Sequence, residues 1–282
     1  MLYKSAEQWN NATNKNILLF GMSGLGKTHL SNLLRTEGDW FHYSIDYRIG
    51  TRYMGDYIVD NVKSEAMKNP FLANLLKTDS IYIRSNITFD NLAPLSTYLG
   101  QPGDPNKGGL DYKEYIKRQS QHLEAEQKAL LDTPEFINKS QNLYGYSNFV
   151  CDSSGSICEV VDDDNDIILK TLSENLLIVW IKGEEDHNEE LIARFRKNPK
   201  PMYYNQKLLE ESWESFKTLN SLTDNEVEPV EFAIYAYERA IKSRQPKYEA
   251  IGEKWGVTLE ADKVSNVKTC ADFNNIIAQS LG

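Results

Sequence analysis

The chain reads as an α/β protein: a parallel sheet flanked by helices, with a largely helical insertion. Three observations carry that reading. Short continuous apolar runs stand at Ile17-Leu18-Leu19-Phe20, at Asn148-Phe149-Val150-Cys151 and at 176–181. Such runs suit strands buried on both faces, as parallel strands are. The first run opens into a glycine-rich turn and then into Leu30, Leu33 and Leu34, spaced along one face of a helix. Strand, glycine turn and helix in that order form one supersecondary unit.

The turn itself is Gly21-Met22-Ser23-Gly24-Leu25-Gly26-Lys27-Thr28, a complete G-x-x-x-x-G-K-[ST] motif. Its glycines let successive backbone N–H groups face one concavity, where the helix dipole also favours an anion. Lys27 is then placed to neutralise the β- and γ-phosphates of ATP, and Thr28 to put its hydroxyl on Mg²⁺. Gly21, Gly24, Leu25, Gly26, Lys27, Thr28 and His29 form the expected nucleotide-contacting set, although the His29 side chain reads as helix packing. A sheet of the P-loop NTPase kind is predicted.

The remaining elements follow along the chain. Phe41-His42-Tyr43-Ser44-Ile45-Asp46 alternates as a strand ending in a carboxylate, with Arg48 and Arg52 just beyond. That puts Asp46 at the carboxyl edge of the sheet, where ligands of open α/β folds bind. Asp152 closes the strand that starts at Asn148, beside the phosphate loop, and is the expected second Mg²⁺ group. The strand at 176–181 leads to a helix over 189–196. Next comes a basic stretch with Arg194, Arg196, Lys197 and Lys200, suited to closing over polyphosphate. The acidic run Asp162-Asp163-Asp164-Asn165-Asp166 reads as a helix start and is given no function. Pro246 is expected to end a helix over 230–243 and let another begin at Lys247. A last strand at 257–259 and an amphipathic helix over 270–281 complete the core.

Residues 55–146 are set apart as the helical insertion between 1–54 and 147–282. A helical stretch over 61–77 is broken at Asn69-Pro70, and two prolines and three glycines in 101–109 mark a loop. A long charged helix follows over 111–131, with Tyr112, Tyr115, Ile116, Gln119, Leu123 and Leu130 giving a partial apolar face.

Composition bounds the function. The chain has 282 residues, 40% apolar and 26% charged, with 31 basic and 41 acidic side chains and a net charge of −10. The negative balance argues against nucleic-acid binding, which needs a basic face. The longest apolar run is far short of the roughly 18 residues a membrane span requires. Three cysteines without a CxxC pair, and no secretory leader, point to a reducing cytoplasm. The four histidines lack metal-site spacing.

Taken in order, these motifs resemble the shikimate kinase-like small-molecule kinases. The resemblance rests on 21–28, on Ser44-Ile45-Asp46-Tyr47-Arg48-Ile49 against a D-x-D-x-x-I pattern, and on 152–156. It rests also on the basic stretch 194–200 and on Arg244-Gln245-Pro246-Lys247-Tyr248-Glu249-Ala250 against R-x-P-x-Y-x-x-x-A. It implies that Asp46, Arg48 and Arg52 contact the acceptor, with Ser154 and Gly155 in the pocket floor. It further implies that Arg194 or Arg196 is the lid arginine and that Arg244 and Pro246 lie near the adenine. Departures are Ser44 in place of the first carboxylate, one glycine in 152–156 in place of three, and the long insertion. The expected activity is ATP- and Mg²⁺-dependent phosphoryl transfer to a small polar hydroxyl-bearing metabolite. The alternative is a regulatory ATPase, a nucleotide-dependent switch whose insertion binds a protein partner.

Overall fold

The computed structural model describes residues 1–161, 166–184 and 186–282. Five parallel strands form one sheet: β1 (Asn16–Phe20), β2 (Trp40–Ser44), β3 (Asn148–Asp152), β4 (Leu177–Lys182) and β5 (Gly256–Glu260). Their spatial order is β2-β3-β1-β4-β5. The central strand is β1, whose Ile17, Leu18, Leu19 and Phe20 are fully buried between helices on both faces. β1 feeds a helix that crosses to β2, whereas β3 leads to β4 on the other side of β1. The order therefore reverses at β1 and β3, and a crevice opens at their carboxyl ends. Register sets Leu19 beside Asp152 and Ser44 beside Asp152, so the first three strands end at one level.

Residues 55–146 form helices Gly55–Ala66, Pro70–Lys77, Ala93–Leu99, Tyr112–Leu131 and Thr133–Asn142. They share the core of the sheet: Ile58, Leu95, Leu99, Ala129 and Ile137 join one apolar cluster with β1 and β3. A second cluster gathers Tyr115, Tyr204, Trp213 and Phe232 where Tyr112–Leu131, Gln206–Asn220 and Pro229–Trp255 meet.

Three local expectations are corrected. β2 stops at Ser44, because the Ser44 hydroxyl accepts from the Tyr47 amide and caps a short helix, Ile45–Arg48. Asp46 thus stands on the first turn of that helix. Pro246 ends nothing: one helix runs from Pro229 to Trp255. The missing N–H and the ring clash cost stability, but side chains on either side hold the helix in place. Arg244 is buried in an ion pair with Glu159, and the Tyr248 hydroxyl donates to the Gly155 carbonyl. The third concerns Tyr112–Leu131, whose buried stripe has the expected period but different contents. Tyr115, Gln119 and Leu130 are buried as expected, but Arg118, His122 and Glu126 are buried beside them, whereas Tyr112, Ile116 and Leu123 are only partly covered. The acidic run at 162–165 lies outside the described residues; Asp166 caps the helix Ile167–Asn175.

Candidate active site

The phosphate loop joins β1 to the helix Lys27–Glu37 and is shaped by three glycines with φ of 142° (Gly21), 83° (Gly24) and 87° (Gly26). Side chains avoid this backbone region, and at Gly21 the neighbouring backbone leaves no room for one. A Cβ on Gly21 would sit 2.5 Å from the Ile181 carbonyl oxygen, and one on Gly24 2.6 Å from Arg194 Nη2. Gly26 caps the helix without a side chain, so the first-turn amides face the crevice. Lys27 is buried, and its ammonium donates to the Gly21 and Met22 carbonyls, both at 2.8 Å. Burial lowers its pKa, against the opposing pull of Asp152 and Asp46.

Those two carboxylates share a cavity of about 340 Å³ with Lys27 and Thr28. The Asp46 pKa rises to about 6, through burial first and repulsion from Asp152 second, with Lys27 opposing. His42 Nε2 lies 3.7 Å from Asp152 Oδ2, and neither His42 ring nitrogen has a hydrogen-bond partner. Phe89, from the insertion, stacks on His42 at 5.0 Å and on Tyr47 at 4.8 Å, closing one wall. The donor set suits Mg²⁺, which keeps several waters and takes one or two carboxylates beside substrate phosphates. Thr28 and Asp152 bring oxygens of that kind to the cavity; the described residues contain no group of three or more His, Cys, Asp or Glu able to cage a metal.

Two further cavities flank this one. On one side, about 540 Å³ lies between the phosphate loop, the helix His187–Lys197 and the helix Ala261–Ser265, lined in part by His29, Glu184, Arg194 and Asp262. His187 Nε2 is 3.2 Å from the Ser23 carbonyl oxygen, which joins that helix to the loop. On the other side, about 200 Å³ is lined by His122, Ser154, Ser156, Tyr203 and Arg244 among others. Ser23, Asp46, Leu92 and Gly155 line both this pocket and the central cavity, so the two adjoin along these residues.

The structure brings most of the expected residues together. Gly24, Gly26, Lys27, Thr28 and His29 line the phosphate crevice, and Asp46, Asp152 and Gly155 stand across from them. Leu25 lines the outer cavity and Ser154 the inner one. Arg194 lies over Gly24. Five placements differ from expectation. Arg48 is held by Asp132 at 2.7 Å and by the Phe136 ring, clear of all these cavities. Arg52 is exposed on the wide turn Ile49–Tyr53 and lines none of them. Arg196 points the other way along its helix, to Glu238 at 2.5 Å. Arg244 lies on the inner side, not beside the outer cavity, because Glu159 and the Tyr203 carbonyl hold its Nη2 there. Pro246, two positions on, lines neither cavity.

Residues that sequence reasoning passed over complete the inner pocket. Glu126 is fully buried beneath it. Ser154 Oγ hydrogen-bonds to its Oε1, and Ser156 Oγ donates to its Oε2 at 2.7 Å. Burial pushes the Glu126 carboxyl up to about 8, although the two serines oppose the rise. His122 Nδ1 stands 3.6 Å from Glu126 Oε2, and burial takes this imidazole down to about 3, so it is neutral. The available signal was their i, i+4 spacing on the buried stripe of a helix that otherwise reads as charged.

No protein-family model and no curated protein matches this chain. Among solved structures, shikimate kinase from Bacteroides thetaiotaomicron is similar at a TM-score of 0.37 and 13% sequence identity, over 95% of this chain and 94% of that one. At that level the functional reading rests on the site itself. No helix among the described residues is long and apolar enough to cross a membrane.

Proposed function

We propose that the protein is an ATP-dependent phosphotransferase acting on a small polar, hydroxyl-bearing metabolite. The observation that carries this reading is that the phosphate crevice and the inner pocket adjoin, with Asp46 lining both. A nucleotide switch needs the first cavity only; a transferase needs both, with a base at their junction. Residues 55–146 then form an acceptor-site element inserted in a nucleotide-binding core made of 1–54 and 147–282, since Leu92, Leu95 and His122 line the inner pocket.

In this reading Lys27 and the amides of the loop hold the β- and γ-phosphates. Thr28 and Asp152 would hold Mg²⁺, which when bound neutralises phosphate charge. The acceptor oxygen forms a bond to the γ-phosphorus as the bond from that phosphorus to the β–γ bridging oxygen breaks, leaving ADP. Asp46 takes the hydroxyl proton. A carboxyl with a pKa near 6 is largely ionised at pH 7 yet basic enough to share that proton. Arg194, over Gly24, stabilises charge on the transferred group. Arg244 belongs to the acceptor side, not to the adenine.

The test is ADP release from Mg·ATP with and without a pooled metabolite extract, with Lys27→Ala as the blank. Stimulation by the extract that vanishes in Lys27→Ala is expected. Slow turnover unaffected by any extract, with ATP still tightly bound, would favour the switch reading and a protein partner for the insertion.

A further inference from the structure

Resting on the transferase reading, we infer that the acceptor is a donor-rich, polyhydroxylated molecule carrying no carboxylate or phosphate, either uncharged or bearing an amine. The wall chemistry of the inner pocket carries this inference. The basic side chains lining it are His122, whose buried imidazole is neutral, and Arg244. The Arg244 charge is already matched: Nη2 lies 2.6 Å from Glu159 Oε2 and also donates to the Tyr203 carbonyl at 3.0 Å. The Glu159–Arg244 pair is fully enclosed, so water does little to weaken it.

The other polar groups are acceptors or neutral. Asp46 faces the pocket at its junction with the phosphate crevice. Ser154 and Ser156 both hydrogen-bond to Glu126 beneath them. With Glu126 ionised, both hydroxyl protons are committed to it and the serine oxygens offer lone pairs to the pocket. With Glu126 protonated, the net charge of the lining is that of Asp46. In neither state is there an unmatched positive charge for an anionic acceptor. Such an acceptor would add its charge to those of Asp46 and the triphosphate, at the cost of its own desolvation.

Leu92, Leu95, Leu99 and Met202 add apolar surface to the same pocket. A compact ring or chain that carries C–H groups beside hydroxyl or ammonium donors matches both kinds of lining. The volume of about 200 Å³ suits a small metabolite in place of a polymer.

The experiment separates a metabolite extract by ion exchange at pH 7 into anionic, neutral and cationic fractions. Each is incubated with the full-length protein, Mg²⁺ and ATP labelled in its γ-phosphate, with Lys27→Ala as the blank. Label in a new product of the neutral or cationic fraction, at least tenfold above the anionic one, is the expected result. The fraction that carries it tells a polyol from an amino-polyol. Equal or greater label in the anionic fraction would overturn the inference and leave the transferase reading standing. Absence of label from every fraction, with nucleotide binding intact, would overturn the transferase reading and this inference with it.

Discussion

On the phosphate side of the cleft, the backbone amides and the ammonium suited to an anion belong to one unbroken segment, 21–28, that turns from β1 into its helix. On the acceptor side, Asp46, His122, Ser154 and Arg244 arrive from four separate segments: the short helix after β2, the insertion, the loop after β3 and the helix Pro229–Trp255. The first half is local, so backbone conformation builds it. Three positive-φ glycines and a helix start place the amides whatever the rest of the chain does. The second half is assembled by tertiary packing and depends on buried polar contacts, Glu126 with its serines and Arg244 with Glu159. Damage to the local half should therefore cost function and spare stability. Damage to the assembled half should cost both.

The sharpest break of this comparison is Asp46→Asn, at the seam between the halves. Turnover should fall by about 10²- to 10⁴-fold, the usual worth of a positioned base, with Mg·ATP affinity and unfolding midpoint nearly unchanged. In the wild type, activity should decline as pH falls below about 6, because the carboxylate is the working form and Asp46 is protonated there. Steady-state ADP release from pH 5 to 8, beside nucleotide titration of the variant, checks both. An activity that survives in Asp46→Asn would remove the base from the seam.

Arg244→Met should instead destabilise, by about 3–5 kcal/mol, because it strands Glu159 as an uncompensated buried charge. Urea unfolding measures this. A midpoint equal to that of the wild type would show that Glu159 finds water, and that the inner pocket is wetter than its enclosure implies.

The difference between the halves also decides what could be read from the amino-acid sequence. β1, β3, β4 and the phosphate loop are spelled out by contiguous residues, and Asp152 is marked by its place at a strand end. Asp46 was found the same way, although Ser44 ends the strand two residues earlier by capping the next turn. Glu126 and His122 were not legible, because a carboxylate and an imidazole in a charged helix look solvated until the sheet and the β3 loop pack over them. Arg48, Arg196 and Arg244 were misplaced for a related reason: sequence gives an arginine's position on its element but not the carboxylate that claims it. Asp132, Glu238 and Glu159 made those choices.

A smaller effect separates the halves by pH. In the folded chain Glu126 keeps its proton up to about pH 8, whereas unfolded it gives it up near 4.5. The folded state therefore binds more protons across that window, and stability falls as pH rises through it. Asp46, raised to about 6, acts in the same direction below that value; His122, lowered to about 3, acts oppositely and only below its ordinary 6.5. Of these three groups, only Glu126 is left to act above pH 6.5. Stability should drop by about 1–2 kcal/mol between pH 6.5 and 8, and Glu126→Gln should flatten that slope. Urea midpoints at the two pH values decide it; an equal slope in the variant would assign the proton elsewhere.

The smallest expected change contrasts two neighbours on the helix His187–Lys197, which lies beside the phosphate loop. Arg194 lies over Gly24 and lines the outer cavity, whereas Arg196 is exposed and paired with Glu238. Surface pairs of this kind contribute about 0.2–1 kcal/mol, so Arg196→Ala should leave turnover within about twofold and barely shift the unfolding midpoint. Arg194→Ala should lower turnover by about tenfold or more, since its charge acts on the transferred group and not on the fold. The two residues have nearly the same sequence context, so any difference between them comes from the direction each faces. Equal losses in kcat would mean that the helix His187–Lys197 turns to bring both arginines over the phosphates during turnover, and that Glu238 releases Arg196 to do so.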